Sequence, residues 1–422
     1  MFPQIIKEIS VLAFAIACIK LLFLIKEELL QNKNDNDNHP ANKDKKTDEI
    51  FWTIACWTII SRLVIYMIAY FGMMFFKQKT GGFFATFPEL WVKWDSPHFL
   101  NIASHWYQST GEERLLIGFF PVYPLSIKIL TLFTQNHLLS SILISNISLI
   151  IAAFYLYKLV RIDFDEDLAF RSVKYFLIYP FSFFLAATFT DSLFLALTIA
   201  AFYYLRKKKW LLCGILGGFA SGTRNYGLIF LIPAFLEYLR ESNIIISIKN
   251  KNVLQLIQNI KGGGFLLIIP LGLISLLYIN KVVAGDWFKF MEYARTNWNC
   301  SVGFFGDTIK MLANNSSTWK PNESIALWIP QLVSVIFMLV LIFYSFNKIK
   351  TLYIAYMIGY FLLTTSPTWL LSASRYTMDL CPIYILLGLI SRNKSLDFLL
   401  TFISIMLLSF YTLVFTYGAF LM

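Results

Sequence analysis

The stretch that decides the fold is Phe51–Phe76, FWTIACWTIISRLVIYMIAYFGMMFF. It is long enough to cross a bilayer, since a spanning helix needs about 20 predominantly apolar residues. Comparable runs recur along the chain: Leu138–Leu159, Phe265–Ile279, Ile325–Phe346, Leu352–Thr365 and Leu396–Phe420. The composition agrees. Of 422 residues, 57% are hydrophobic and 14% charged, whereas a soluble globular chain carries about 25% charged residues. The expected fold class is an all-α integral membrane protein, a polytopic helix bundle.

The formal net charge is +11. In a membrane chain this follows from Lys and Arg collecting in short cytoplasmic loops. No basic stripe carries interleaved exposed aromatics, so nucleic acid is excluded as a partner. The five cysteines, Cys18, Cys56, Cys213, Cys300 and Cys381, show no CxxC or Cys/His spacing. They read as small hydrophobes, not as a disulfide or zinc framework. Ile9–Ile25 lacks a small-residue cleavage site and is interrupted by Lys20, so it reads as a weak first helix or an interfacial one, not a signal peptide. Lys26–Glu49 is rich in Asn, Asp and Lys, without aromatics, and reads as a disordered linker.

The domain reading is accordingly threefold. Residues 1–50 hold the weak helix and linker. Residues 51–240 form a catalytic transmembrane module with a first outer loop at 77–116. Residues 241–422 form a C-terminal transmembrane module with a second outer loop at 281–322.

Orientation follows from the positive-inside rule. Placing Arg206–Lys209, Arg240–Lys261, Lys348–Lys350 and Arg392–Lys394 in the cytoplasm puts Arg161–Lys174 inside as well. Tyr175–Thr188 with Ser192–Leu205 then makes one hairpin, and Trp210–Thr223 with Gly227–Leu239 a second. Ile117–Thr134 contains Pro121, Pro124 and Lys128 and is expected to be interfacial or re-entrant, not a full crossing. The total is roughly a dozen crossings, several of them short. No fixed-period repeat is present, which removes solenoids and propellers.

This topology gathers the unusual polar residues on one side. Asp95 and His98 fall in the first outer loop, and Asp191, Arg224 and Arg375 at outer helix ends. Ionisable groups near membrane depth cost free energy unless paired or used. Around Asp95 the chain reads Trp91-Val92-Lys93-Trp94-Asp95-Ser96-Pro97-His98-Phe99. Pro97 suits a first helical turn. Phe99, Ile102, Ala103 and Trp106 repeat at helical spacing, predicting an amphipathic helix lying on the membrane. Asp95 is then either a helix cap or a carboxylate base at the lipid–water boundary. His98 lies one turn on and has a structural alternative. Arg224, in Ser221-Gly222-Thr223-Arg224-Asn225-Tyr226-Gly227, offers planar recognition of phosphate, or a structural ion pair with Asp191. Arg375-Tyr376 repeats the motif of a cation at an outer helix end, with snorkelling as the bland alternative. Together these residues suit transfer of a sugar from a lipid phosphate. Arginines would stabilise the leaving phosphate, and one carboxylate would take the acceptor proton as C1–O breaks.

The run WDSPHFLNIASHWY, followed by Phe119-Phe120-Pro121-Val122-Tyr123-Pro124, resembles the PIG-V mannosyltransferase family. So do Tyr179–Phe184 leading into Thr188–Phe194, Ser221–Gly227, and Ser374-Arg375-Tyr376 before Cys381-Pro382. The family usually has Glu where this chain has Asp191. The resemblance implies a GT-C fold with its site on the outer or lumenal face, an inverting hexosyltransferase and a polyprenyl-phosphate sugar donor, mannose in eukaryotic members. It points to Asp95 as the catalytic residue. His98, Tyr123, Asp191, Arg224, Tyr226, Arg375 and Tyr376 are the expected substrate-binding residues. The acceptor is left as a glycan, lipid or protein, with membrane lipids as surroundings. No cofactor is implied, and a divalent cation held by Asp191 and Asp95 stays open. The richness in Phe, Ile, Asn and Lys favours a bacterial plasma membrane, with the endoplasmic reticulum as the eukaryotic counterpart. The sequons at Asn299, Asn314, Asn315 and Asn322 read as chance in an Asn-rich chain. A lipid-linked sugar transporter or flippase, and a non-catalytic subunit of an envelope glycan complex, are the alternatives.

Overall fold

A computed structural model describes residues 2–30, 47–78, 81–242 and 262–418. Among them the chain is all α, without a strand and with one isolated antiparallel bridge, Val302 to Pro367. Among the described residues six helices are long and apolar enough to cross a membrane: Phe2–Leu29, Thr47–Lys77, His137–Val160, Gly263–Ala284, Pro321–Ser345 and Lys394–Tyr417. The chain is therefore a multi-pass membrane protein. Most of the linker read at 26–49 and of the basic segment at 240–261 lies outside the described residues.

The first helix departs from its reading. It runs unbroken over Phe2–Leu30 and packs against Phe305–Thr318, Ile329–Ser345 and Thr351–Thr365. The interrupting Lys20 is accommodated by a ring: its Nζ stands 4.4 Å from the Phe346 centroid, a cation–π contact that removes the charge from lipid.

The expected span Tyr175–Thr188 is a broken element. Helix Glu166–Leu177 stops, the chain turns, and a single 3-10 stretch, Ser182–Ala186, precedes helix Asp191–Arg206. The break is satisfied from outside. Arg62, buried in the Thr47–Lys77 helix, donates to the carbonyls of Leu177 and Ser182. Freed backbone groups at membrane depth require such partners. The partner hairpin has the same character, with Trp210–Thr223 followed by the 3-10 turn Asn225–Phe230 and then helix Leu231–Glu241. Two discontinuous elements thus bring Asp191 and Arg224 inside the bundle. Residues Glu112–Gly118 and Val122–Thr134 meet at 111°, a sharp bend consistent with the re-entrant reading.

The basic loops converge at one end. Arg206 grips Asp163, Lys350 lies 3.7 Å from the same carboxylate, Arg392 pairs with Asp165, and Lys208 reaches Glu241 at 2.5 Å. Sequence charge alone had grouped these loops.

Candidate active site

The first loop delivers Asp95 on a strained turn. Trp94 has φ 55, the left-handed region that costs a non-glycine residue roughly 1–2 kcal/mol. Helix Ser96–His105 follows, with Pro97 at its start. The Asp95 carbonyl accepts from the amides of His98 and Phe99, but its carboxylate makes no capping bond. The cap alternative therefore fails, and the side chain is available elsewhere. The expected membrane-facing stripe is also corrected. Phe99, Ile102 and Ala103 are buried against protein, Phe99 edge-on to both Phe119 and Tyr123. The bent 112–134 element covers the face that would otherwise meet lipid. Trp106, at φ 64, ends the helix.

Asp95 meets Arg375, whose Nη1 donates to its Oδ2 at 3.2 Å. Arg375 also holds Asp191 in a two-pronged pair, Nε to Oδ1 at 2.7 Å and Nη2 to Oδ2 at 2.8 Å. Arg224 Nη1 reaches the same Asp191 Oδ1 at 2.7 Å and lies 2.8 Å from Asp379 Oδ2. Four chain segments thus meet in one network of two guanidiniums and three carboxylates. Asp191 and Asp379 are fully enclosed at 0% exposure. The Asp95 side chain is 28% exposed. Buried charges persist only when paired and hydrogen-bonded, and here the pairing is ordered. Asp191 is the hub, Arg375 links it to Asp95, and Arg224 hangs from it on one nitrogen. The Asp191–Arg224 ion pair read as an alternative thus exists. The snorkelling alternative for Arg375 does not, because that side chain is buried at the hub.

The network borders a cleft of about 430 Å³. Asp95, Arg224, Tyr226, Arg375 and Tyr376 line it. The opposite wall comes from the second outer loop and the 367–372 segment, including Trp298, Cys300 and Trp369. These segments are laced together by the Val302–Pro367 bridge, Gly303 N to Ser366 O and Thr368 N to Ser301 O, both 2.8 Å. The sequence reading had placed 281–322 as a second outer loop but had drawn no site residue from it. The other expected residues stand apart from the lining. His98 is exposed against Phe119. Tyr123 is fully buried, its hydroxyl 3.2 Å from Ser145 Oγ. Asp191 lies behind the lining and holds it in place. Asp379 was missed altogether, although an aspartate four residues after Arg375 in an otherwise apolar stretch is a usable signal. As for a cation, Asp95 and Asp191 are bridged by the Arg375 guanidinium, and the described residues contain no group of three carboxylate, His or Cys side chains suited to a metal.

A second hollow of about 620 Å³ has lining residues that follow those of the cleft in sequence. It is lined by apolar side chains such as Trp106, Val122, Leu125, Phe219, Leu271 and Ile279. Phe120 of the cleft precedes Pro121 of the groove, and Thr223 of the cleft lies one helical turn beyond Phe219 of the groove.

Residues 120–261 match the family model for dolichyl-phosphate-mannose-protein mannosyltransferase. Part of the chain is similar to GPI alpha-1,6-mannosyltransferase 2 of Homo sapiens, 29% identical over 191 residues, which is 43% of this chain and 38% of the relative. The matched region is thus similar to mannosyltransferases of the PIG-V type. The enzyme of the same name from Cricetulus griseus is 31% identical over 156 residues, 34% of this chain and 31% of that relative. The chain thus aligns with well under half the length of these relatives. The family-model match includes Asp191 and Arg224, whereas Asp95, Arg375 and Asp379 lie outside it.

Proposed function

We propose that the chain is a membrane mannosyltransferase that takes its sugar from a polyprenyl-phosphate donor and transfers it to an acceptor hydroxyl with inversion, at the outer or lumenal face. The observation that carries the reading is the partly exposed Asp95 beside Arg224 and Arg375 on a cleft, with an apolar groove whose lining follows it in sequence at Phe120–Pro121. The groove suits a prenyl chain, and the cleft has room for a phosphate and a sugar, being within the usual 300–1,000 Å³ of ligand sites.

The chemistry follows from the partners each group already has. Arg375 is spent on Asp191 and Asp95, so its work is to fix the base. Among the described residues Asp95 Oδ1 has no hydrogen-bond partner, and it is the oxygen that accepts the acceptor's proton. Arg224 is bonded through Nη1 alone, which leaves its other donors for the donor phosphate. The acceptor oxygen attacks C1 while the C1–O bond to phosphate breaks. The electron pair leaves with the phosphate oxygen, where Arg224 stabilises it. One displacement inverts C1 and needs a single carboxylate.

The test is transfer from a panel of polyprenyl-phosphate sugars by purified protein. Asp95→Asn should retain donor binding and lose transfer by at least 100-fold, within the range of a positioned base. Arg224→Ala should weaken donor binding itself. Full transfer by Asp95→Asn would overturn the assignment of Asp95 as base, whereas donor binding without transfer by the wild-type protein would favour a carrier of lipid-linked sugar.

A further inference from the structure

We propose that Asp379 is a positioning residue for anion recognition: it pins Arg224 by one nitrogen so that the rest of the guanidinium is presented to the cleft. The inference deepens the proposed function and rests on it.

Three observations combine. First, Asp379 is fully buried in the turn between helices Ala373–Met378 and Pro382–Ile390. Its Oδ2 stands 2.8 Å from Arg224 Nη1 as an ion pair, and neither oxygen completes a hydrogen bond among the described residues. A buried carboxyl so poorly satisfied is a cost to folding, and such exceptions call for a functional account. Second, Asp191 and Asp379 converge on the same nitrogen of Arg224. A guanidinium carries five donors in a fixed fork. Two carboxylates at Nη1 leave Nε and Nη2 without a protein acceptor among the described residues. Third, three aromatic rings flank the fork and limit where it can go. Its centre lies 5.9, 5.6 and 5.1 Å from the rings of Phe194, Tyr226 and Tyr376. Tyr226 is itself stacked on Tyr360 at 4.6 Å.

Arg375 provides the contrast. All three of its nitrogens are occupied by Asp191 and Asp95. Of the two arginines, Arg224 is the one held by an end and open at the other. Without Asp379 one of its two anchors is gone, and the guanidinium can close onto Asp191 in the manner of Arg375.

The experiment measures binding of farnesyl phosphate to purified full-length protein in detergent, together with KM for donor and acceptor separately. Asp379→Ala should weaken farnesyl phosphate at least tenfold and raise donor KM in parallel, with acceptor KM unchanged. Asp379→Asn keeps an oxygen acceptor at the same place and should lose at least threefold. It decides the matter alone if the alanine protein does not fold. A merely structural role would lower the yield of folded protein but leave both constants of the surviving fraction unaltered, and that result in Asp379→Asn overturns the proposal. So does a loss confined to kcat, or one shared equally by donor and acceptor. Failure of the wild-type protein to bind farnesyl phosphate would overturn the functional reading and this inference with it.

Discussion

Arg62 sits in the middle of the very run whose apolar character announces the membrane, and it is among the largest fully buried side chains. Its guanidinium replaces the helical partners that Leu177 and Ser182 lose where the chain breaks. Arg62→Leu would keep the apolar packing but take the guanidinium donor from both carbonyls; Leu177 O keeps the Ser182 hydroxyl, so the cost falls chiefly at Ser182, roughly 1–3 kcal/mol for an unsatisfied group. The expected outcome is a loss of about 1–3 kcal/mol, read as a lowered Tm in detergent, with transfer lost because Asp191 begins the next helix. An unchanged Tm would mean that the break is held by other contacts. Nothing in local sequence identifies this pairing, since its partners lie more than 100 positions away as backbone atoms. Asp95 and Arg224 were legible because isolated charges in apolar surroundings must have a reason to be there. What sequence could not supply was the division of labour, with Arg375 tied at every nitrogen and Arg224 at one.

Among the elements, the long spans were the most readable. The runs Phe51–Phe76, Leu138–Leu159 and Leu396–Phe420 correspond to helices Thr47–Lys77, His137–Val160 and Lys394–Tyr417, because hydropathy over a full crossing is an averaged signal. The broken elements were less readable. Periodicity sees the apolar character of 175–188 but not that its backbone is satisfied by another helix. Helix Leu271–Ala284 shows a further feature hidden from hydropathy. A Cβ on Gly272 would stand 2.2 Å from Gly222 N and 2.3 Å from Gly218 O, so this helix and Trp210–Thr223 touch backbone to backbone, as small residues permit in membranes. That contact lies in the lining of the groove, at Gly218 and Gly272, just before Arg224 in sequence. Gly272→Val should force the helices apart at a cost of at least about 1–3 kcal/mol and reduce transfer. Gly264→Ala, where a Cβ meets nothing within 4 Å, should leave both Tm and transfer as they are. Equal behaviour of the two variants would show that the close approach is dispensable.

The whole molecule has two chemically distinct ends. One carries the loops around Asp163, Asp165, Arg206, Lys350 and Arg392, joined by ion pairs. The other carries the network of Asp95, Asp191, Arg224, Arg375 and Asp379. The sequence sorted residues into these two groups from loop charge, and the side chains of each group meet one another in the fold. By the positive-inside rule the ion-paired basic end is expected in the cytoplasm. Two positions decide it: Ser109, exposed in the loop after the Ser96–His105 helix, and Lys207, exposed at the basic end. In a background without the native cysteines, Ser109→Cys should react with a membrane-impermeant maleimide added to intact cells, and Lys207→Cys only after permeabilisation. The reverse pattern would put Asp95 and Arg224 on the cytoplasmic face, where soluble nucleotide sugars are available, and the case for a lipid-linked donor would lose its premise.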